Sequence, residues 1–204
     1  MKCELPYLSK IFYSYEYPWQ LLPDISSVAA ALTKTPPPGF TRIADGIVIG
    51  KNVSIHESAV LLPPIVLGDG CTVRPGAFLR GNIIAGRSCV IGNSTELKNC
   101  ILLDGVQLPH YNYVGDSIIG NRAVCSNLKS DGKPVVIHGD TDYATGLRKL
   151  GAILGDNADI GCGCVLNPGT VVGRNTSIYP LTPIRGVIPP DCIVKSPDCI
   201  VIRE

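Results

Sequence analysis

Three side chains are of types that could do chemistry on a polar, anionic ligand. His110 stands in "QLPHYNYVGDS", residues 107–117, beside two tyrosines, Tyr111 and Tyr113. A free imidazole, with a pKa of about 6.5, accepts a proton near neutrality and passes it on. Arg74 directly follows Val73, and Lys98 directly follows Leu97. A guanidinium fork grips phosphate with two parallel bonds, and an ammonium adds a point charge. Brought together by the fold, a base and two cations could remove a proton next to a bound anion.

These residues sit on a repeat. Counting in sixes from Ile49 gives Ile55, Leu61, Leu67, Val73, Leu79, Ala85, Ile91, Leu97 and Leu103, all apolar in a chain that is 45% hydrophobic. Chance gives such a run roughly a few times in ten thousand frames. The fifth positions, Val53, Ala59, Ile65, Cys71, Ala77, Ile83, Cys89, Thr95, Ile101 and Gln107, are mostly small or β-branched. The beat fails over 107–117 and returns from Leu154. A period of six is neither helical nor a plain alternation; it is the period of a parallel β-helix. Six residues make one short strand and a corner, and three strands close an 18-residue coil. First-position aliphatics then stack inside, and coil upon coil buries a core that one coil cannot. The break predicts an excursion that lifts His110 off the wall. Four hexads separate Arg74 from Lys98, which sets them on adjacent faces.

Residues 1–45 lack the beat. "DISSVAAAL" reads as a short helix with Asp24 as its N-cap, and "PPPGF" at 36–40 as a stiff linker. This segment is expected to cover the open end of the first coil, since a bare sheet edge is a liability. The organisation expected is therefore a capping segment at 1–45, a β-helix over 46–184 interrupted by loops near 108–117 and 128–153, and a tail over 185–204.

Composition narrows the partners. Eighteen Lys plus Arg against 17 Asp plus Glu give no basic field for nucleic acid or an anionic membrane. No apolar run reaches the about 18 residues of a membrane span. "MKCELPYLSK" lacks a secretory h-region. Nine scattered cysteines without a CxxC pair read as reduced, cytoplasmic and mostly core-filling. Cys162 and Cys164 in "IGCGC" have no further ligand nearby, so no metal is expected. The histidines 56, 110 and 138 lack the close pairing of a zinc enzyme.

The motifs "RPGA" (74–77), "ELKN" (96–99), "PHYNYVGD" (109–116) and "SNLKSDGK" (126–133), on the hexapeptide repeat, resemble the acetyltransferase domain of bifunctional N-acetylglucosamine-1-phosphate uridylyltransferases. The likeness runs from about residue 45 to 190. It implies an all-β, left-handed parallel β-helix with a short N-terminal helical segment. It implies acetyl-CoA as co-substrate, an amino-sugar phosphate as acceptor, and a homotrimer with sites at subunit boundaries. By the same resemblance His110 is the catalytic base and Glu96 the acid that orients it. Arg74 and Lys98 bind the sugar phosphate, and Tyr113, Asn127 and Lys133 contact the sugar. Arg148 and Lys149 are weaker candidates for the coenzyme phosphates.

The chain departs from the pattern between Gly120 and Asn127, which is about one hexad short, and Leu128 stands where the family has Tyr. That removes small residues that line the family's coenzyme site. The nucleotidyltransferase half, with its Gly-rich loop, is not represented, so nucleotidyl transfer is not expected of this chain alone. A non-catalytic hexapeptide subunit that partners a separate sugar nucleotidyltransferase is the alternative expectation.

Overall fold

A computed structural model describes residue 3, residues 5–123 and residues 133–203. The expected β-helix is present. Short strands stack in parallel on three faces. Face A carries eight rungs, from Ile47–Ile49 through Ile65–Leu67 and Ile83–Ala85 up to Val187–Ile188. Face B begins with Ser54–Ile55, Thr72–Val73, Val90–Asn93 and Gln107–His110. Face C begins with Val60–Leu62, Phe78–Arg80 and the first halves of Glu96–Leu102 and Tyr113–Ile119. Those last two strands turn the corner and continue on face A.

The first-position aliphatics fill the interior from Leu67 to Leu97, as the sixes predict. Above Leu97 the frame moves by one residue. Ile65 pairs with Ile83, Ile83 with Cys100 and Cys100 with Ser117, spacings of 18, 17 and 17. Each shortened coil turns through a single left-handed residue, Asn99 (φ 48) and then Asp116 (φ 48). Asparagine and aspartate tolerate that region better than bulkier residues. The core residues are therefore Cys100, Leu102, Val106 and Leu108. Ile101, Leu103 and Gln107, read as interior in sixes, point outward. The beat does not stop at 107; it loses one residue at Asn99. Residues 108–117 are accordingly not a loop, because Gln107–His110 and Tyr113–Ile119 are both strands of the wall.

A polar ladder runs up the A–B corner. The side-chain oxygens of Asp69, Asp104, Asn121 and Asp156 accept the backbone N–H of Lys51 (2.7 Å), Arg87 (2.6 Å), Asp104 (2.9 Å) and Asn121 (3.2 Å). Corner N–H groups left over by the sheets are thus paired rather than stranded.

Only Thr41–Ala44 of the N-terminal segment pairs with the open first rung; the rest lies along face A. Leu5, Leu8, Phe12, Leu21, Leu22, Ile25 and Ala29 pack along face A against Val48, Val66, Ile84, Ile101 and Ile118. The reason is that the outward side of face A is itself aliphatic, and burying it is worth about 25 cal/mol per Å². Helix Ile25–Lys34 starts after Asp24, but no side-chain cap forms there. The Asp24 carboxylate accepts the Tyr15 hydroxyl instead, at 2.7 Å. Within 133–150, Val136–His138 and Asp142–Ala144 form an antiparallel pair, the first strand of which lies against Thr170–Val172 of face A. Val135, Ile137 and Leu150 join the same face A cluster.

Both ends of the solenoid close with an antiparallel strand: Thr41–Ala44 on Ile47–Ile49, and Cys199–Ile202 on Cys192–Ser196. Residues 185–204, expected as a tail, hold the last rung and this closing hairpin. None of the helices among the described residues is long and apolar enough to cross a membrane.

The packing on face A predicts that Ile84→Ala, which leaves a void beneath the N-terminal helices, costs about 2–5 kcal/mol in chemical denaturation. It should also expose residues 5–35 to limited proteolysis. An N-terminal segment seated on the coil end instead would keep its protease resistance.

Candidate active site at the B–C corner

His110 is the last residue of its strand on face B, in register with Asn93 one coil below. Its side chain is exposed, two residues beyond the inward Leu108, because the strand ends there and the chain leaves the wall at the corner instead of continuing the alternation. Gly92 allows the close stacking beneath it: a Cβ there would lie 1.9 Å from the Pro109 carbonyl oxygen. After His110 the chain turns through Tyr111 (φ 51), where the coils below carry Ser94 (φ 52) and Gly76 (φ 68). Holding a tyrosine in the left-handed region costs about 1–3 kcal/mol, a type of strain that gathers at functional sites. The Tyr111 ring meets the imidazole edge-on at 6.1 Å. Asn112 Nδ2 donates to the His110 carbonyl at 2.9 Å and holds the turn.

Past the corner lies Tyr113, the first residue on face C. It stacks over Glu96, which stacks over Phe78. The Glu96 N–H donates to the Asn112 carbonyl at 2.8 Å, which ties the two coils at this corner. Burial, followed by the negative charges of Asp116 and Glu96, pushes the Tyr113 phenol above its usual value of 10.0, while Arg80 pulls the other way. Tyr113 is thus a neutral hydroxyl at physiological pH, able to donate a hydrogen bond. His110, Tyr111 and Tyr113 line one side of a cleft of about 440 Å³ whose other side carries Cys162 and Cys164.

The Glu96 carboxylate is not on His110. It forms an ion pair with Arg80 Nη1. Arg80 also lies over the Phe78 ring, 5.8 Å from its centroid. Glu96 therefore starts face C next to the corner, with its charge turned down the solenoid. Both partners are partly exposed, so the pair itself adds only about 0–1 kcal/mol of stability.

The other expected site residues fall in separate places. Lys98 is half-buried on face C, in register with Gly115 above it. Arg74 is exposed on face B, in a cleft of about 460 Å³ with His56 and Glu57. The two lie on adjacent faces, as the four-hexad spacing predicts. Lys133 is exposed. Arg148 and Lys149 are exposed between Leu147 and Leu150, which pack on the cluster over face A. The structure thus brings His110, Tyr113 and the Glu96 backbone to one corner and leaves Arg148 and Lys149 on another face. Asn127 lies outside the described residues.

Arg80 is the residue that reading in sixes passes over. Writing the chain in coils of 18 would have shown it, because Arg80 and Lys98 are one coil apart in "FLRGN" and "ELKNC".

Sequence comparison agrees with this architecture. A family model described as the GMPPB C-terminal domain matches residues 61–128. Among curated proteins, the chain is 36% identical over 120 residues to the bifunctional protein GlmU of Methanococcus maripaludis, a span of 56% of this chain and 29% of that protein. It is 35% identical over 97 residues to a bifunctional sugar-1-phosphate nucleotidylyltransferase/acetyltransferase of Sulfurisphaera tokodaii, covering 44% of this chain and 24% of that one. It is 30% identical over 153 residues to an uncharacterised acetyltransferase, YaiX, of Escherichia coli, covering 72% of this chain and 66% of that one. The chain spans less than a third of the length of the GlmU proteins it matches. The resemblance carried by the motifs thus extends to named relatives of the expected kind.

The geometry around Glu96 makes a spectroscopic prediction. Glu96→Gln removes one negative charge beside Tyr113 and frees the Arg80 cation. Both changes favour the phenolate, so the Tyr113 pKa should fall in a 13Cζ NMR titration. An unchanged titration would mean that Glu96 and Arg80 do not act on that ring.

Proposed function

We propose that this chain is an acetyl-CoA-dependent N-acetyltransferase acting on an amino-sugar phosphate of the glucosamine-1-phosphate type, with His110 as general base. The observation that carries the reading is the corner itself: an outward imidazole, a neutral tyrosine and an acidic residue's backbone fixed around one strained turn, inside the motifs shared with acetyltransferase relatives. The sugar amine attacks the thioester carbonyl carbon. His110 takes the proton from the nitrogen as the C–N bond forms, and the C–S bond breaks to release coenzyme A. Tyr113 is a hydrogen-bond donor to the sugar. Lys98, Arg74, Asn127 and Lys133 complete the acceptor contacts, with Arg148 and Lys149 as the weaker candidates for the coenzyme phosphates.

The division of residues between two faces supports a homotrimer. His110 and Arg74 project from face B, while Glu96, Lys98 and Tyr113 project from face C, and the faces diverge across a convex corner. Face A is occupied by the chain's own N-terminal segment, which leaves B and C for neighbouring protomers. Val60 and Leu62 on face C are 51% and 47% exposed, apolar surface suited to such a contact. Face B of one protomer set against face C of the next would bring the two groups together.

The Arg80–Glu96 ion pair favours a second reading, a non-catalytic hexapeptide subunit beside a separate nucleotidyltransferase, because the acid expected to orient His110 is engaged elsewhere. A thiol-release assay with acetyl-CoA and glucosamine-1-phosphate separates the two. The enzyme reading predicts turnover that falls about 10²–10⁴-fold in His110→Ala, the usual contribution of a general base, with little change in KM for the sugar. No turnover by folded wild-type protein would favour the subunit reading. Turnover indifferent to His110→Ala would remove the base.

A further inference from the structure

We propose that the upper end of the solenoid is a docking surface for a second copy of this chain: the closing strands Cys199–Ile202 of two copies pair edge to edge, antiparallel, about a two-fold axis. The inference goes beyond the acetyltransferase reading and is independent of it.

The end is a cap that stays bare. On face B the strands Asp159–Ile160, Ser177–Ile178 and Cys192–Ser196 stack in parallel, and Cys199–Ile202 folds back antiparallel on the last of them. Ile202 pairs with Cys192, and Ile200 with Val194. Directly opposed residues share a face of the sheet, and Cys192 and Val194 are buried in the core. Ile200 and Ile202 therefore stand on the core side of the wall, yet they are 42% and 71% exposed. Val201, on the outer side, is 43% exposed. Core-side isoleucines left bare at the end of a stacked core are apolar surface that a partner would bury. The free edge of this strand pairs with no strand among the described residues. Its four residues, "CIVI", include no charge and no proline, two devices that guard such an edge against pairing. Arg203, next in the chain, is turned down the wall instead, with Nη2 donating to Ser177 Oγ at 2.5 Å.

The strand's own ends name the occupant. Asp198 and Arg203 bound the uncharged run. Antiparallel pairing of two identical strands sets the Asp198 end of each against the Arg203 end of the other, so opposite charges meet twice. A charge-assisted bond to the partner's Asp198 outcompetes the neutral hydroxyl of Ser177 for the guanidinium. A head-to-tail contact would instead meet Ser54–Ile55, the two-residue edge at the bottom of face B. It would also leave a further edge open at each end of the assembly. Two-fold pairing of 199–202 covers both free edges with each other and closes.

Sedimentation equilibrium over a concentration series tests this on wild type, Ile202→Lys, Asp198→Arg and the double swap Asp198→Arg with Arg203→Asp, each with its fold checked by circular dichroism. Wild type should reach twice the mass of Ile202→Lys, whatever assembly faces B and C make. Asp198→Arg puts like charges together at both ends of the pair. It should raise the dissociation constant of the doubling about ten-fold, and the double swap should bring it back to within about three-fold of wild type. Residues with a merely structural role would show no such rescue. A wild-type mass equal to that of Ile202→Lys across the series, a doubling that survives Ile202→Lys, or a swap no better than Asp198→Arg alone overturns the proposal.

Discussion

In-register stacking of parallel coils governs everything outside this molecule as well as inside it. Each outward side chain stands over the one a coil below, so the wall is a set of vertical rows rather than a scatter of surface residues. The inward rows make the core. The outward rows decide what each face does: aliphatic on A, and a mixture of charge and aromatic character on C. A residue acquires its neighbours from coil length, and a change of one residue in that length redirects every row above it. The corners at Asn99 and Asp116 make that change twice, with polar side chains in the left-handed region. They let two strands run unbroken from face C onto face A. The Asn99 corner also sets Tyr113 over Glu96 and Gly115 over Lys98.

The occupation of face A shapes what remains. A β-helix with one aliphatic outer wall must bury it, and this chain does so with its own N-terminal helices and the 133–150 insertion. Closure of the two ends falls to antiparallel strands, which satisfy the last rung without a helix. The candidate site then sits away from that packing, at the corner between the two faces, B and C, over which no described segment is packed as the N-terminal helices are on A. The strained turn at Tyr111 is affordable there because the coils on either side over-determine it.

Much of the architecture is legible in the sequence, and the failures have a common cause. The six-residue beat from Ile49 to Leu97 is plain because interior aliphatics alternate with polar outer residues. It becomes ambiguous at "NCILL", where Cys100 and Leu102 are interior and Ile101 and Leu103 are buried on the outside. Apolar residues on both sides of the wall offer two frames, and only the unfavourable Gln107 in the chosen one signals the slip. The same aliphatic triplets, "IVI", "IVL" and "IIA", predict a covered face A, so the N-terminal segment's place follows from the sequence once the outward position is weighed. His110 and Tyr113 are found because a motif carries them. Arg80 is not, since its ion-pair partner Glu96 lies 16 residues away, on the next coil, and in no local pattern. The partner of the Glu96 carboxylate depends on side-chain reach across coils, which spacing does not determine.

The central claim is that a sugar amine is deprotonated by the imidazole at the B–C corner. The most direct measurement is a crystal structure of the protein with coenzyme A and glucosamine-1-phosphate bound. The account predicts the amino nitrogen within hydrogen-bonding distance of the His110 ring, with Tyr113 on the sugar. An amino sugar seated elsewhere, with its nitrogen out of reach of His110 in every protomer, would contradict it.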